Sequence, residues 1–542
     1  MAKQPAPAQP ENTLEREAND RLHEAQQRKN VRVVDYKEAY FFAAPDRQRQ
    51  ISSQSQPSTT PMFDAPELNT DLAFQLCADF TTEVINTYLP EAQNWCERKA
   101  GEGVSEDAFS AVADEVRAAD KKIFEAIRAS NFYSEIAKAF NPDLAIAGTG
   151  LFIDRPRPGQ PIQVLAVPMR EMEINLGPDG ENDDRFIVKY TRNSYVQKLV
   201  GPGAWAKVGA ELKAKIAAKP AERTEVRWGW WRLWEDVSDE VWQHVIMIGE
   251  KLIDSAVLKG EGCCAFLVMR FNPSADWPWA IGPMIQGLPT LRQVDEWERQ
   301  IPEAVERATN PAIKYPDDGV TNVEQGLEAG KGYPTRPGSG PDFGPIYQQP
   351  SIDPAIVDMD RKEHRLKKTF YCDHPEQTGD TPPTLGQWLD ELARMQRRIG
   401  TAGYSFWREG PMRIFLRFKY LLEVAGTIKA VADKSGRMVS TQPYNPTQRA
   451  AEQQEIATAV QCAQIMGQMF PEEFKLWIDG KLTMQAFIAK MRTSGLLKMR
   501  NPEEVENALG QIKQLVMGRQ RPGEPSAPSA APTQGAGAPA AI

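Results

Sequence analysis

Two glycine-bracketed segments, Gly148-Thr-Gly150 and Gly330-Lys-Gly332, are the places where this chain could cradle a phosphate. A phosphate loop of that kind needs the pattern G-x-x-x-x-G-K-[ST], whose amides and lysine surround the anion. Neither segment completes it, and Gly148-Thr-Gly150 reads instead as a bend in a strand. Cys372-Asp-His374 is the sole Cys/His cluster among six cysteines and four histidines. Two ligands do not make a site for a metal that takes four. The remaining cysteines are scattered, none lies in a C-x-x-C pair, and the vicinal Cys263-Cys264 cannot form an unstrained bridge. Free thiols in a reducing compartment follow. The carboxylate pairs Asp183-Asp184 and Asp317-Asp318 read as solvated turn residues. G-x-S-x-G, H-E-x-x-H and the dinucleotide fingerprint are all missing, so the sequence offers no enzyme chemistry and calls for no cofactor and no metal.

Trp228, Trp230, Trp231, Trp234 and Trp242 crowd into one segment. Such a row could stack bases, but base-stacking platforms interleave lysine and arginine. With only Arg227 and Arg232 among them, the tryptophans are expected at an interface between subunits. The formal net charge is −9, from 64 basic and 73 acidic residues. That balance argues against a protein that grips nucleic acid. No apolar run reaches the roughly 18 residues of a membrane span, and the N-terminus lacks the apolar core of a secretory signal.

The elements that would position these residues can be read from periodicity. Cys264 to Phe271 is an unbroken apolar run suited to a strand covered on both faces. An aromatic, proline-broken loop over 276–284 leads to a helix. Thr290 with Gln293 reads as its capping box, and Pro302 should bend or split it. A polar helix over Asn12–Lys29 carries a thin stripe of Leu14, Ala18, Leu22 and Ala25 that needs a neighbour to cover it. Helices are expected over 68–88, 106–129 and 130–140, with a broken one over 192–218. Strands are expected around 144–190 and over 224–259. The stretch from Asn310 to Asp353 reads as a long irregular loop, of a length that is generally functional or disordered. Residues 355–426 are helical in pattern, with a capping box at Thr384/Gln387 and a break at Pro411. Further helices follow over 447–517, and residues 1–12 and 521–542 have the composition of disordered tails.

The wording of several segments resembles one family. Phe271-Asn-Pro273, Ile281-Gly-Pro-Met284 and Gly287-Leu-Pro-Thr-Leu-Arg-Gln-Val294 stand in this order. They are joined by Ser130-Asn-Phe132, Gly148-Thr-Gly150, the strands from Val167 to Tyr190, and Thr378-Gly-Asp380. Together they are similar to the head-to-tail connector (portal) proteins of short-tailed bacteriophages. Trp279, Ala280 and Ile281 depart from the Tyr-Gly-Arg-like triplet usual before that Gly-Pro.

The resemblance implies an α+β portal fold with a helical wing and crown, β-rich wing and clip segments, and a helical stem. It divides the chain into an N-terminal arm (1–60), wing (61–223), clip-like β segment (224–275) and stem helix region (276–310). A tunnel-loop region (311–354), wing long helices (355–440), helical crown (441–518) and tail (519–542) follow. Asn272, Pro273, Gly282 and Pro283 would form the family's turn, and Lys314, Lys331 and Arg336 would lie nearest DNA phosphates. The implied function is a ring of twelve copies at the capsid vertex of the virion, assembled in the host cytoplasm. It would pass double-stranded DNA without sequence preference during packaging and ejection. Its partners would be the terminase motor, a tail adaptor, and capsid and scaffolding proteins, with no membrane. A capsid-associated scaffold without a channel is the alternative, and a DNA-packaging enzyme a weaker one.

Overall fold

The structure is a computed structural model. It describes residues 11–45, 68–101, 112–155, 159–234, 240–309, 313–316, 332–335, 344–345, 353–373, 398–399, 403–429, 439–443, 456–465 and 468. Two compact units divide at Arg449 and Ala450. The second is described only over 456–465 and 468, which are helical with Val460 and Ile465 exposed. The capping box at Thr384/Gln387, the C-terminal helices beyond 468, and Asp317, Asp318, Lys331, Arg336 and His374 lie outside the described residues.

The first unit is built on a five-stranded antiparallel sheet. Its strands are β4 (Met172–Leu176), β5 (Asn182–Arg192), β6 (Arg223–Arg232), β7 (Val241–Ile248) and β8 (Lys251–Lys259), adjacent in chain order. Alternation along β6 explains its two faces. Phe186, Val188, Trp231, Val245 and Met247 meet α1 (Glu11–Val31) through Leu14, Ala18 and Leu22. Val226 and Ile248 turn the other way, towards three short helices over Asn193–Val200, Pro202–Lys207 and Ala210–Ala218. The thin apolar stripe of α1 therefore finds its cover on this sheet, within the same chain. The wing-to-clip boundary expected at 223/224 falls inside the sheet, because β5 and β6 pair from Asp184↔Trp231 to Arg192↔Arg223.

A second sheet orders β3 (Gln163–Val167), β2 (Thr149–Asp154) and β9 (Phe266–Met269). All four residues of β9 are buried, as the apolar run predicts. The outer edge of β3 is not open: Asn131 donates to the Val164 carbonyl and accepts from its amide, both at 2.8 Å, and Glu135 accepts from Ala166 N–H. Helices pack around this sheet and form the main core with it. They include α2 (Val33–Ala43), α3 (Leu72–Tyr88), α4 (Ala113–Ala129), α5 (Phe132–Phe140) and the short α6 (Asp143–Ile146).

The long helix α10 spans Pro283–Thr309 (the three short helices beside the sheet being α7 to α9). It begins seven residues before Thr290, so the Thr290/Gln293 box lies inside the helix and is not its start. Proline suits the first helical position, where no amide is needed. The helix runs through Pro289 and Pro302 without a break, about 40 Å at 1.5 Å per residue. Beside it packs α11 (Asp353–Thr369), antiparallel: Gly287 adjoins Leu366 and Phe370, and Lys362 lies over the Trp297 ring. The connecting stretch is not structureless. It holds β10 (Ile313–Pro316), parallel to β11 (Gly332–Thr335) and antiparallel to β12 (Gly344–Pro345). Two further helices, α12 (Tyr404–Glu409) and α13 (Pro411–Val424), divide at Pro411 as expected. A pairing that the sequence did not suggest joins β1 (Cys96–Ala100) to β13 (Val439–Pro443).

Candidate functional site

The joint where β9 hands over to α10 brings the Gly148-Thr-Gly150, Phe271-Asn-Pro273 and Ile281-Gly-Pro-Met284 segments into one place. Asn272 turns the chain with φ of 59°, a left-handed conformation that asparagine adopts more readily than most residues. Pro273 and Ala280 then bridge, closing the aromatic loop on itself. Gly282 follows against α6. Its amide donates to the Ile146 carbonyl at 3.0 Å, while Ala280 N–H donates to Ala147 at 2.8 Å. A Cβ at Gly282 would stand 2.1 Å from the Ala145 carbonyl oxygen. Only glycine permits that approach. Gly148 lies at the same place from the other side, with φ of 140° and the Met269 carbonyl beside it. Segments more than a hundred residues apart thus meet at one seam.

Buried charges fix the seam. Arg270, 2 % exposed, clamps Glu409 of α12 through Nε and Nη2 and donates to the Pro278 carbonyl at 3.0 Å. Asp143, 1 % exposed, accepts from Tyr40 Oη at 2.6 Å and from Met169 N–H at 2.9 Å. Lys29 at the end of α1 donates to the Met169 and Met172 carbonyls at 2.7 and 2.8 Å and to Glu173 at 3.2 Å. Burial pushes the Lys29 amine below its ordinary value, against the pull of Glu173. Its Nζ also lies 5.3 Å from the centroid of the Trp279 ring, which ties the first helix to the joint. Arg417 of α13 donates to the Ile153 and Cys263 carbonyls at 2.9 and 2.7 Å. None of these side chains was singled out from sequence. Signals existed: Arg270 is the one charged residue in the Cys264–Phe271 stretch read as an unbroken apolar run, Arg417 stands among apolar residues of α13, and Lys29 continues the spacing of Leu14, Ala18, Leu22 and Ala25.

The tryptophans have divided fates. Trp230, Trp231 and Trp242 are each 1 % exposed and offer no surface to a partner. Trp230 stacks on His244 at 4.6 Å, and Trp242 carries the Arg185 guanidinium at 4.5 Å and donates to Glu240. Their interface reading is corrected: adjacent tryptophans on a sheet covered on both faces fill the core on each side. Trp228 and Trp234 keep partial exposure, the latter under Arg232. Asp183 and Asp184 are likewise corrected. They lie on β5 and are buried, Asp184 paired with Arg21 at 2.8 Å. Lys314 sits on β10, in register with Tyr333 and Gly344.

At this seam the described residues do not assemble an acid, a base and a nucleophile. Burial drives the His244 imidazole down to about 4, and raises the thiols of Cys77, Cys96, Cys263, Cys264 and Cys372 above their ordinary range. Thiols so held are not nucleophilic. Among the described residues no group of three or more His, Cys, Asp and Glu could hold a metal ion. No helix among them is long and apolar enough to cross a membrane.

Residues 15–387 match the family described as bacteriophage head to tail connecting protein. The chain belongs to that family. The match spans the first helix, both sheets, the joint and the paired helices. No curated protein matched the chain. Two solved structures are similar at low identity. One is titled "Virion of native gene transfer agent (GTA) particle", 12 % identical, with 81 % of this chain and 93 % of that chain covered and a TM-score of 0.29. The other is titled "Neck of empty GTA particle computed with C6 symmetry", 12 % identical, with 71 % and 85 % covered and a TM-score of 0.28. The connector family is a structural one, whose members are parts of the virion.

Proposed function

We propose that copies of this connector-family chain close into a ring, of twelve, around a channel at the capsid vertex. Duplex DNA passes through it during packaging and ejection, and the ring joins head to tail. The observation that carries the reading is the family match over residues 15–387. A rigid seam supports it: a long helix projecting from a sheet-and-helix body transmits load only if its root is fixed. Terminase, a tail adaptor, and capsid and scaffolding proteins are the proposed partners, with assembly in the host cytoplasm. Trp228 and Trp234 remain proposed interface residues.

The stretch 311–354, within which β10 to β12 lie, is the proposed tunnel loop of the channel, with Lys314, Lys331 and Arg336 as its proposed phosphate-contacting groups. Electron microscopy and native mass spectrometry of the purified chain test the ring. Closed particles of about twelve copies with an axial hole are expected. A compact oligomer without a hole would favour a scaffold, and a single copy that turns over ATP or cuts DNA would favour a packaging enzyme; both would overturn the reading.

A further inference from the structure

Helix α11 carries a row of basic side chains that the joint does not use. Arg361, His364, Arg365 and Lys368 are all exposed. Their spacing of three, four and seven places them on one face. The opposite face of the helix is occupied: Leu366 and Phe370 are buried against α10, and Lys362 is paired with Asp358 over Trp297. Among the described residues no carboxylate pairs with any of the four. Two acids adjoin the row in sequence: Asp360, exposed beside Arg361, and Glu363, half-buried beside His364 and near Glu298 of α10.

The companion helix shows the contrast. On α10, Arg299 is held by Glu296 and Glu303, Arg307 by Glu303, and Arg292 by Glu38 of α2. In a chain of net charge −9, the arginines of α10 are thus neutralised on the spot, and those of α11 are not. Like charges at i, i+4 disfavour an isolated helix. A row that keeps them is suited to a polyanion that arrives from outside.

We infer that this face of α11 is a strip for the phosphate backbone of duplex DNA. From Arg361 to Lys368 the strip runs about 10 Å, or roughly three nucleotide steps of 3.4 Å along one strand. Guanidinium groups bind phosphate oxygens in pairs, which suits Arg361 and Arg365 to adjacent phosphates. An acidic face of a second copy is the weaker occupant, because Glu296 and Glu303 on α10 are already engaged by their own helix. The inference rests on the connector reading only in taking DNA as the polyanion at hand.

The test uses the full chain in its assembled form and a 30-base-pair duplex of mixed sequence, followed by fluorescence anisotropy from roughly 50 to 200 mM salt. Three phosphate contacts contribute about −2.7 to the slope of log affinity against log salt. Combining Arg361→Gln, Arg365→Gln and Lys368→Gln should remove that share and weaken binding roughly a hundredfold at 100 mM salt. Arg299→Gln with Arg307→Gln, on the paired helix, should leave both unchanged. Native mass spectrometry on each variant reads assembly separately. A triple variant with the parent's slope overturns the inference. So does one that fails to assemble while its residual assemblies bind DNA normally, since the strip would then be a contact between copies. A parent chain that stays single yet shows the full slope would sink the ring and leave the strip standing.

Discussion

Asp183 sits at an irregularity in the β4–β5 ladder, where Asn175 pairs with Asp184 and Leu176 with Asn182. The pairing skips it, its side chain is buried, and its Oδ2 has no hydrogen-bond partner among the described residues. Burial raises its carboxyl from 3.8 to about 6, opposed by Arg232 and Arg185. The folded protein thus holds this proton more tightly than the unfolded chain does. The stability it contributes is complete below pH ~4 and is lost as the pH climbs through about 6. Asp183→Asn should flatten stability across that window and stabilise the protein at pH 7.5 by about 1 kcal/mol, after allowance for solvent screening. Urea unfolding between pH 4 and 7.5 measures this. A variant that retains the parent's pH slope would assign the titration elsewhere.

At the scale of elements, the root of α10 is the most demanding contact. Gly282→Ala would force a methyl into the Ala145 carbonyl, so α6 or the helix start must move. Such overpacking costs about 1–3 kcal/mol, read as a lower melting temperature, and the damage should spread to α6. A variant as stable as the parent, with unchanged exchange protection at Ile146, would show that the seam yields freely. Much at this scale was legible in the sequence. The stripe of α1, the run of β9 and the alternation along β6 each gave the right element, because burial repeats with the element's own period. Start and partner were harder. Thr290 and Gln293 spell a helix start, yet Gly282 sets it through a backbone contact with a segment near residue 145. Val439–Pro443 carries no pattern pointing to Cys96. The row on α11 was visible as letters, but only the burial of Leu366 and Phe370 shows which way it faces.

The whole molecule carries nine more acids than bases. Copies brought side by side repel, and the repulsion is screened over about 10 Å at 0.1 M salt. Assembly is therefore expected to gain with ionic strength: mass photometry at fixed protein concentration should find a larger assembled fraction at 300 mM salt than at 20 mM. A fall would mean that ion pairs between copies dominate their attraction. Pairing between copies through the edge of β3 is blocked, because Asn131 and Glu135 occupy the amides and carbonyl that another strand would take. Unpaired edges are how crowded β proteins grow into fibres. With that route plugged by its own side chains, the chain can be packed at high local density without zipping up through β3.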